Sequence, residues 1–330
     1  MKRIKIGQIG IGHNHGEAKM RTVRKFPELF EVIGYAEENE HWIEKRANKK
    51  GYEGLPRLSV EEVIDRSDAV LIESDVWDLT KYAKMCIDAG KHIHMDKPAS
   101  GTLEEYKHVL DTAKEKGLTL QLGYMYRYNP SIKDAFSRIQ RGELGTIHSI
   151  ATEMSTRHSD EYREWLNNFP GGNMYIFGSH LVDLILLLLG EPKKIDSHIV
   201  QSGLNGINAP DLSTATLVYE HAVARIFVSS VECNGWGRRC FSVAGSNGTL
   251  EIRPLEVPVR MTFAKKDEGK EYFEDYAKQL PVIELSDNER YDEMMQDFYD
   301  FITEKKQNPY SYEHEFLLQK TLYEITGDKR

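Results

Sequence analysis

An acid, an amine and a proline stand together at Asp96-Lys97-Pro98, directly after the strand-like run His92-Ile93-His94-Met95. A lysine delivered to the carboxyl end of a strand sits where open α/β sheets bind their ligands. Beside a cationic ring its pKa falls, which makes it a usable base for a hydroxyl proton. Pro98 stiffens the chain behind it. Upstream, Gly10-Ile11-Gly12-His13-Asn14-His15 follows the first apolar run and opens a helical one. Gly10 permits a tight turn, Gly12 lets the backbone approach a pyrophosphate, and the helix N-terminus attracts that anion. The third fingerprint position holds His15, with Gly16 one place late. Glu37 closes the second strand-like run, roughly 25 residues past Gly12. A carboxylate there hydrogen-bonds the 2′-hydroxyl of NAD and repels the 2′-phosphate of NADP, so NAD is the expected cofactor. The pairs His13-x-His15 and His92-x-His94 have no third ligand at metal spacing. The first pair reads as lining the nucleotide loop and the second as imidazoles on one strand face, hydrogen-bonded in the core. No metal is expected.

The elements that must position these groups follow from periodicity. Strand signals at Ile4–Ile9, Glu31–Ala36, Ala69–Ile72, His92–Met95 and Leu118–Leu122 alternate with helix signals at Gly16–Lys25 and Asp78–Ala89. Ser59/Glu62 and Thr102/Glu105 are capping boxes that open two more helices, the second ending at Gly117. This alternation predicts a parallel sheet. After Gly123 a helix over Asn129–Arg141 gives way to strand-like runs: Thr146–Met154, Ile195–Gln201, Ser213–Tyr219, Val223–Val231, Cys240–Ala244, Thr249–Ile252 and Val259–Phe263. Turns at Glu220-His221 and Ser246-Asn247-Gly248 punctuate them. An apolar helix over Gly178–Leu189 and an amphipathic one over Tyr291–Lys305 complete the pattern, and Lys265–Lys278 reads as a solvated loop. The expected organisation is an α/β nucleotide-binding domain over 1–123 and an α+β domain over 124–330, built on a large, mostly antiparallel open sheet.

Composition narrows the function classes. A chain of 330 residues suits two domains. A net charge of −9 argues against nucleic-acid binding, which draws its affinity from basic patches. The cysteines, Cys86, Cys233 and Cys240, lack metal spacing, and their sparse, odd count suits a reducing cytoplasm. Cys86 falls in a helical pattern and reads as a small apolar residue. The longest apolar run, Leu184–Leu189, is far short of the roughly 20 residues that cross a bilayer. Glycines and polar residues interrupt any signal-peptide core near the N-terminus. A soluble cytoplasmic protein is expected.

The chain resembles the glucose–fructose oxidoreductase, inositol dehydrogenase and MocA family. The resemblance rests on the Gly10–His15 turn and on Asp96-Lys97-Pro98, where the family usually reads E-K-P. It continues through Gly123-Tyr124-Met125-Tyr126-Arg127-Tyr128-Asn129-Pro130 and through Gly171-Gly172 followed by His180-Leu181-Val182-Asp183, and Ser242–Leu250 and Tyr291–Phe298 also fit. It implies a Rossmann domain, an open-sheet domain often used in homo-oligomers (a dimer or tetramer here), and NAD(P)-dependent oxidation or reduction of sugars, cyclitols and related polyols. Carried over, Lys97 is the central catalytic lysine and His180 its helical partner facing the nicotinamide. Asp96 lies near the nicotinamide ribose, Tyr124 and Arg127 edge the substrate pocket, and Asp183 belongs to the substrate side. Arg157, His158, Arg163 and Trp165 occupy a region that borders substrate in the family and suit a hydroxylated ring.

Two departures stand out. The aspartate that family dehydrogenases commonly place four residues before the histidine is Ile176 here. The cofactor-side segment often written T-P-N-x-x-H reads Ser74-Asp75-Val76-Trp77-Asp78-Leu79. The leading expectation is hydride transfer between a carbohydrate or polyol hydroxyl and nicotinamide, with Lys97 as acid/base. The alternatives are a glycoside hydrolase that uses NAD for transient oxidation and a non-catalytic nucleotide-binding sensor.

Overall fold

The computed structural model describes residues 3–266 and 276–329. Residues up to 128 group with 285–319 in one compact unit, and residues 129–284 group with 320–329 in the other. The expected boundary at 123 falls just before residue 128, after which the chain returns to its first unit for 285–319.

Unit one is a six-stranded, wholly parallel sheet of β1 (Ile4–Ile9), β2 (Phe30–Ala36), β3 (Arg57–Leu58), β4 (Ala69–Ile72), β5 (His92–Met95) and β6 (Leu120–Leu122). Its order, β3-β2-β1-β4-β5-β6, is that of a doubly wound dinucleotide fold, whose ligand crevice opens between β1 and β4 where the winding reverses. The first helices are α1 (Gly16–Lys25), α2 (Glu40–Arg46), α3 (Val60–Arg66), α4 (Leu79–Asp88) and α5 (Leu103–Glu115). Both expected capping boxes form, at Ser59/Glu62 and Thr102/Glu105. The central strand β4, Ala-Val-Leu-Ile, is wholly apolar and wholly buried because helices cover both faces of the sheet. Cys86 packs as a core residue on α4, and burial pushes its thiol up to about 12.

Unit two opens with α6 (Pro130–Gln140) and carries β7 (Ile147–Ser155), α7 (Asp160–Leu166) and α8 (Ser179–Leu189). Its further strands are β8 (Lys194–Gln201), β9 (Pro210–Val218), β10 (Val223–Ser229), β11 (Cys240–Gly245), β12 (Gly248–Ile252), β13 (Met261–Lys265) and β14 (Lys278–Leu280). Among the described residues these form one eight-stranded sheet, order β14-β13-β12-β11-β7-β10-β9-β8, antiparallel except for the parallel pair β7–β10. The segment leading into α8, Met174–Gly178, takes a π-helical turn. Leu181, Leu184 and Ile185 of α8 are fully buried, and the helix packs on β7 and β10. The chain ends in α9 (Asp292–Ile302), which packs on α1 within unit one, and α10 (Tyr312–Thr326). Most of the expected loop Lys265–Lys278 lies outside the described residues. No helix among the described residues is long and apolar enough to cross a membrane.

Candidate active site

The turn after β1 is a cradle that needs glycine. Gly10 has φ +81°, and a Cβ there would lie 2.2 Å from the Ser74 Cα at the end of β4. A Cβ on Gly12 would come within 2.8 Å of the Trp42 indole nitrogen. The loop is pinned on both sides: the Gly10 amide donates to the Ala36 carbonyl (2.8 Å) and the His13 amide to the Glu73 carbonyl (2.8 Å). Glu37 caps this arrangement, accepting from the amides of Ile11 (2.8 Å) and Asn39 (2.9 Å). A cavity of about 230 Å³ opens beside it, lined in part by Gly10, Glu37, Ser74, Asp75 and Tyr82. Trp42 donates to Asp75 (2.7 Å), while Arg46 stacks on Trp42 and donates to the His13 carbonyl (2.6 Å) and to Asn14 (2.7 Å). The cofactor-side residues expected from the sequence are thus gathered at the carboxyl ends of β1, β2, β4 and β5.

Beside the cradle lies a polar cluster centred on groups closed to solvent, Asp96, Lys19 and Glu73. Asp96, at the end of β5, is inaccessible to solvent. Its Oδ1 accepts the Lys97 backbone amide (2.7 Å). Its Oδ2 faces three donors: His13 Nδ1 (3.0 Å), His15 Nδ1 (3.1 Å) and the Lys19 ammonium. Lys19, wholly buried on α1, also donates to Glu73 (3.0 Å). Burial alone would raise the Asp96 carboxyl, but His13, Lys19 and His15 hold it well below the usual carboxylate range. Burial would likewise lower Lys19, and Asp96 and Glu73 keep it above the ordinary lysine value. Glu73 goes the other way: burial pushes it well above the carboxylate range, opposed by Lys19 and reinforced by Asp96. Burial lowers both loop histidines, with Asp96 opposing. The Lys19 ammonium beside the Asp96 carboxylate is the pairing that low-dielectric surroundings demand.

Lys97 is 3% exposed and follows Asp96 directly. Two of the buried groups, Lys19 and Glu73, were not singled out by sequence reasoning. A signal existed for Lys19, which shares the core-facing stripe of α1 with Gly16, Met20 and Val23, where a charge must find a partner. His92 and His94 are absorbed as expected: His92 Nδ1 accepts the Thr119 amide (2.9 Å), and His94 Nδ1 bonds Gln121 (2.8 Å). The fold also supplies what the sequence lacked, a third ligand-type group for the first histidine pair. His13, His15 and Asp96 set ligand-type atoms within 4.8 Å of one another. A metal ion there would meet a like charge, because the Lys19 ammonium already holds Asp96 Oδ2.

Other expected residues have different surroundings. Arg127 makes a bidentate, buried ion pair with Glu315 (2.6 and 2.9 Å) and lies over the rings of Tyr124 (4.9 Å) and Tyr310 (4.1 Å). In unit two, Arg163 is equally committed, to Asp211 (2.7 Å), Asp160 (3.1 Å) and the Leu204 carbonyl (2.9 Å). These contacts hold each guanidinium beside a buried acid. A cavity of about 540 Å³ in unit two is lined by Arg157, His158, Arg163, Asn205 and Cys233, among others. His158 stacks on Tyr162 (4.6 Å) and Phe177 (4.9 Å), and Trp165 continues the aromatic column beside Tyr162 (5.1 Å). Burial pushes His158 down to about 4, helped by Arg239, and its Nδ1 has no hydrogen-bond partner among the described residues. His180 and Asp183 are buried on α8, and Ile176 is buried in the π turn before it.

Residues 4–124 match the profile described as "Oxidoreductase family, NAD-binding Rossmann fold", and residues 132–251 match "GFO/IDH/MocA C-terminal domain". The chain is 32% identical to the uncharacterized oxidoreductase YhhX of Escherichia coli K12 over 143 residues, 42% of this chain and 40% of that one. It is 27% identical to the scyllo-inositol 2-dehydrogenase (NADP(+)) IolW of Bacillus subtilis over 153 residues, 46% and 42% of the two chains. The alignments thus span about two fifths of either relative. A levoglucosan dehydrogenase solved in complex with NADH and levoglucosan superposes with a TM-score of 0.84 over 99% of this chain and 97% of its own. At 18% identity, that likeness is one of fold.

Proposed function

The chain belongs to the GFO/IDH/MocA oxidoreductase family, and on that premise we propose an NAD(P)-dependent dehydrogenase acting on a hydroxyl of a sugar, glycoside or cyclitol. The observation that carries this reading is the place of Lys97: buried, at the end of β5, its backbone held by Asp96, on the same sheet edge as the glycine cradle. The turn fits a dinucleotide: Gly10 and Gly12 let the loop close against Ser74 and Trp42, where a Cβ would collide, and a cavity of about 230 Å³ lined by Gly10 and Glu37 opens beside it. Gly10 and Gly12 would hold the pyrophosphate at the start of α1, and Glu37 would take the adenosine ribose. When bound, the nicotinamide accepts or delivers the hydride.

In the oxidative direction Lys97 takes the hydroxyl proton as the carbinol C–H bond breaks, and in reduction it returns that proton. His180 supports the transfer. With no acid at position 176, Lys97 carries more of the proton chemistry than its counterparts in relatives with an aspartate there. Arg157, His158 and Trp165 offer a cation and aromatic faces to a hydroxylated ring. Glu37 favours NAD over NADP because its carboxylate repels a 2′-phosphate. The open sheet of unit two is the surface through which a homodimer or homotetramer forms. Wild-type protein incubated with NAD and NADP over a panel of sugars, glycosides and cyclitols should produce NAD(P)H absorbance with at least one of them. A panel without turnover, in a protein that binds NADH, contradicts the reading.

A further inference from the structure

Three chain segments converge on one buried carboxylate, which a fourth supplies. The nucleotide loop contributes His13 and His15, α1 contributes Lys19, the end of β4 contributes Glu73, and Asp96 itself leads into Lys97. A lysine in the first turn of a helix opposes the helix dipole, and Lys19 is 0% exposed, so its position has to be stabilised by the acids it meets. The space is shaped for it: a Cβ on Gly123 would lie 2.7 Å from the Lys19 ammonium and 3.0 Å from Asp96 Oδ1. Asp96 can then hold two things at once, the Lys97 amide through one oxygen and the loop histidines through the other.

We propose that Lys19 is a positioning residue: its buried ammonium clamps Asp96, and Asp96 ties the Lys97 backbone to the His13–His15 loop as one rigid unit. The proposal rests on the dehydrogenase reading for its catalytic consequence, though not for its structural one. Without Lys19, Asp96 is a buried anion left to His13, His15, the Lys97 amide and the Glu73 carboxyl. The groups facing those imidazoles are Asp96 and Lys97 beyond β5, His94 within it, Glu73 at the end of β4, and the Tyr291 ring. Burial is the main force holding these imidazoles neutral, with the Lys19 charge adding to it, so removal of Lys19 beside the Asp96 anion lets one imidazole charge and take its place at low pH.

The test compares wild type with Lys19→Met in two readouts. Backbone amide exchange of the segment 95–99, followed by mass spectrometry with or without turnover, should speed up about tenfold at pH 8 and return toward wild type at pH 6. On a substrate that wild type turns over, kcat should fall about 100-fold at pH 8, with KM changed far less, and recover as pH drops. Should Lys19→Met not fold at pH 8, folding at pH 6 with wild-type exchange at 95–99 supports the clamp; failure at both overturns it. Wild-type exchange and kcat in the variant at pH 8 also overturn it, as does a loss that pH does not change. A wild type that turns over nothing defeats the dehydrogenase reading alone, because the exchange measurement still reports on the clamp.

Discussion

Replacing Gly10 by alanine separates two penalties that the fold imposes at the cradle. Gly10 lies at φ +81°, and a Cβ would fall 2.2 Å from Ser74 Cα and 2.4 Å from Ser74 N. Those are backbone atoms at the end of β4, so no side-chain rotation relieves the contact. The left-handed conformation costs an L-residue about 1–2 kcal/mol. Forcing the two strand ends apart adds about 1–3 kcal/mol. Gly90 is the internal control: it has φ +77° and nothing within 4 Å of its ideal Cβ, so Gly90→Ala incurs only the first penalty. Urea unfolding should therefore show Gly10→Ala less stable than Gly90→Ala by about 1–3 kcal/mol. NADH titration by fluorescence should show at least about tenfold weaker binding in Gly10→Ala, about 1.4 kcal/mol, and none of that loss in Gly90→Ala. Equal stabilities together with equal NADH affinities would refute the cradle argument.

Three further perturbations test other parts of the account. Arg127→Met leaves Glu315 charged and buried without its bidentate partner, and should cost about 3–5 kcal/mol in urea unfolding; removing both charges in Arg127→Met/Glu315→Gln should recover most of it, whereas a single-variant loss below about 1 kcal/mol would contradict the pairing. Glu37→Ala removes the carboxylate that braces Ile11 and Asn39, and should shift the NADPH-to-NADH affinity ratio toward NADPH by about tenfold; an unchanged ratio argues against Glu37 as the selecting group. His158 is held neutral, its pKa lowered from 6.5 to about 4, so its contribution to stability is present above pH 6.5 and is lost as pH falls toward 4. His158→Phe keeps the stack on Tyr162 and Phe177 without titrating, and should gain stability relative to wild type between pH 7.5 and pH 5; a constant difference would contradict the neutral imidazole.

Local signals were the legible ones. The bounds of β1, α1, β4 and β5 follow from apolar runs and glycine stops, and the capping boxes at Ser59 and Thr102 formed because each needs only four consecutive residues. Short elements escaped: α2 and α7 have seven residues each, too few to show a period. Helix α10 was hidden for another reason. Its buried side includes Glu315, Gln319 and Thr321, so polar residues stand where apolar periodicity would be sought. The same physics hid the site's interior. The nucleotide loop, Glu37 and Lys97 announce themselves by type and spacing, but His15 and Asp96 meet across 81 positions and Lys19 and Asp96 across 77. The acids that pair with Arg127 and Arg163 were equally illegible, because an arginine's partner is invisible until the chain folds. Those acids are Glu315 and Asp211, both buried.

The central claim is that Lys97 moves the substrate proton. It is tested most directly by the rate of NADH formation from the best substrate of the carbohydrate panel, compared between wild type and Lys97→Met at saturating NAD. Removal of a positioned acid/base should lower kcat by about 10²–10⁴-fold while NADH affinity stays within about threefold of wild type. Equal rates in the two proteins would contradict the account.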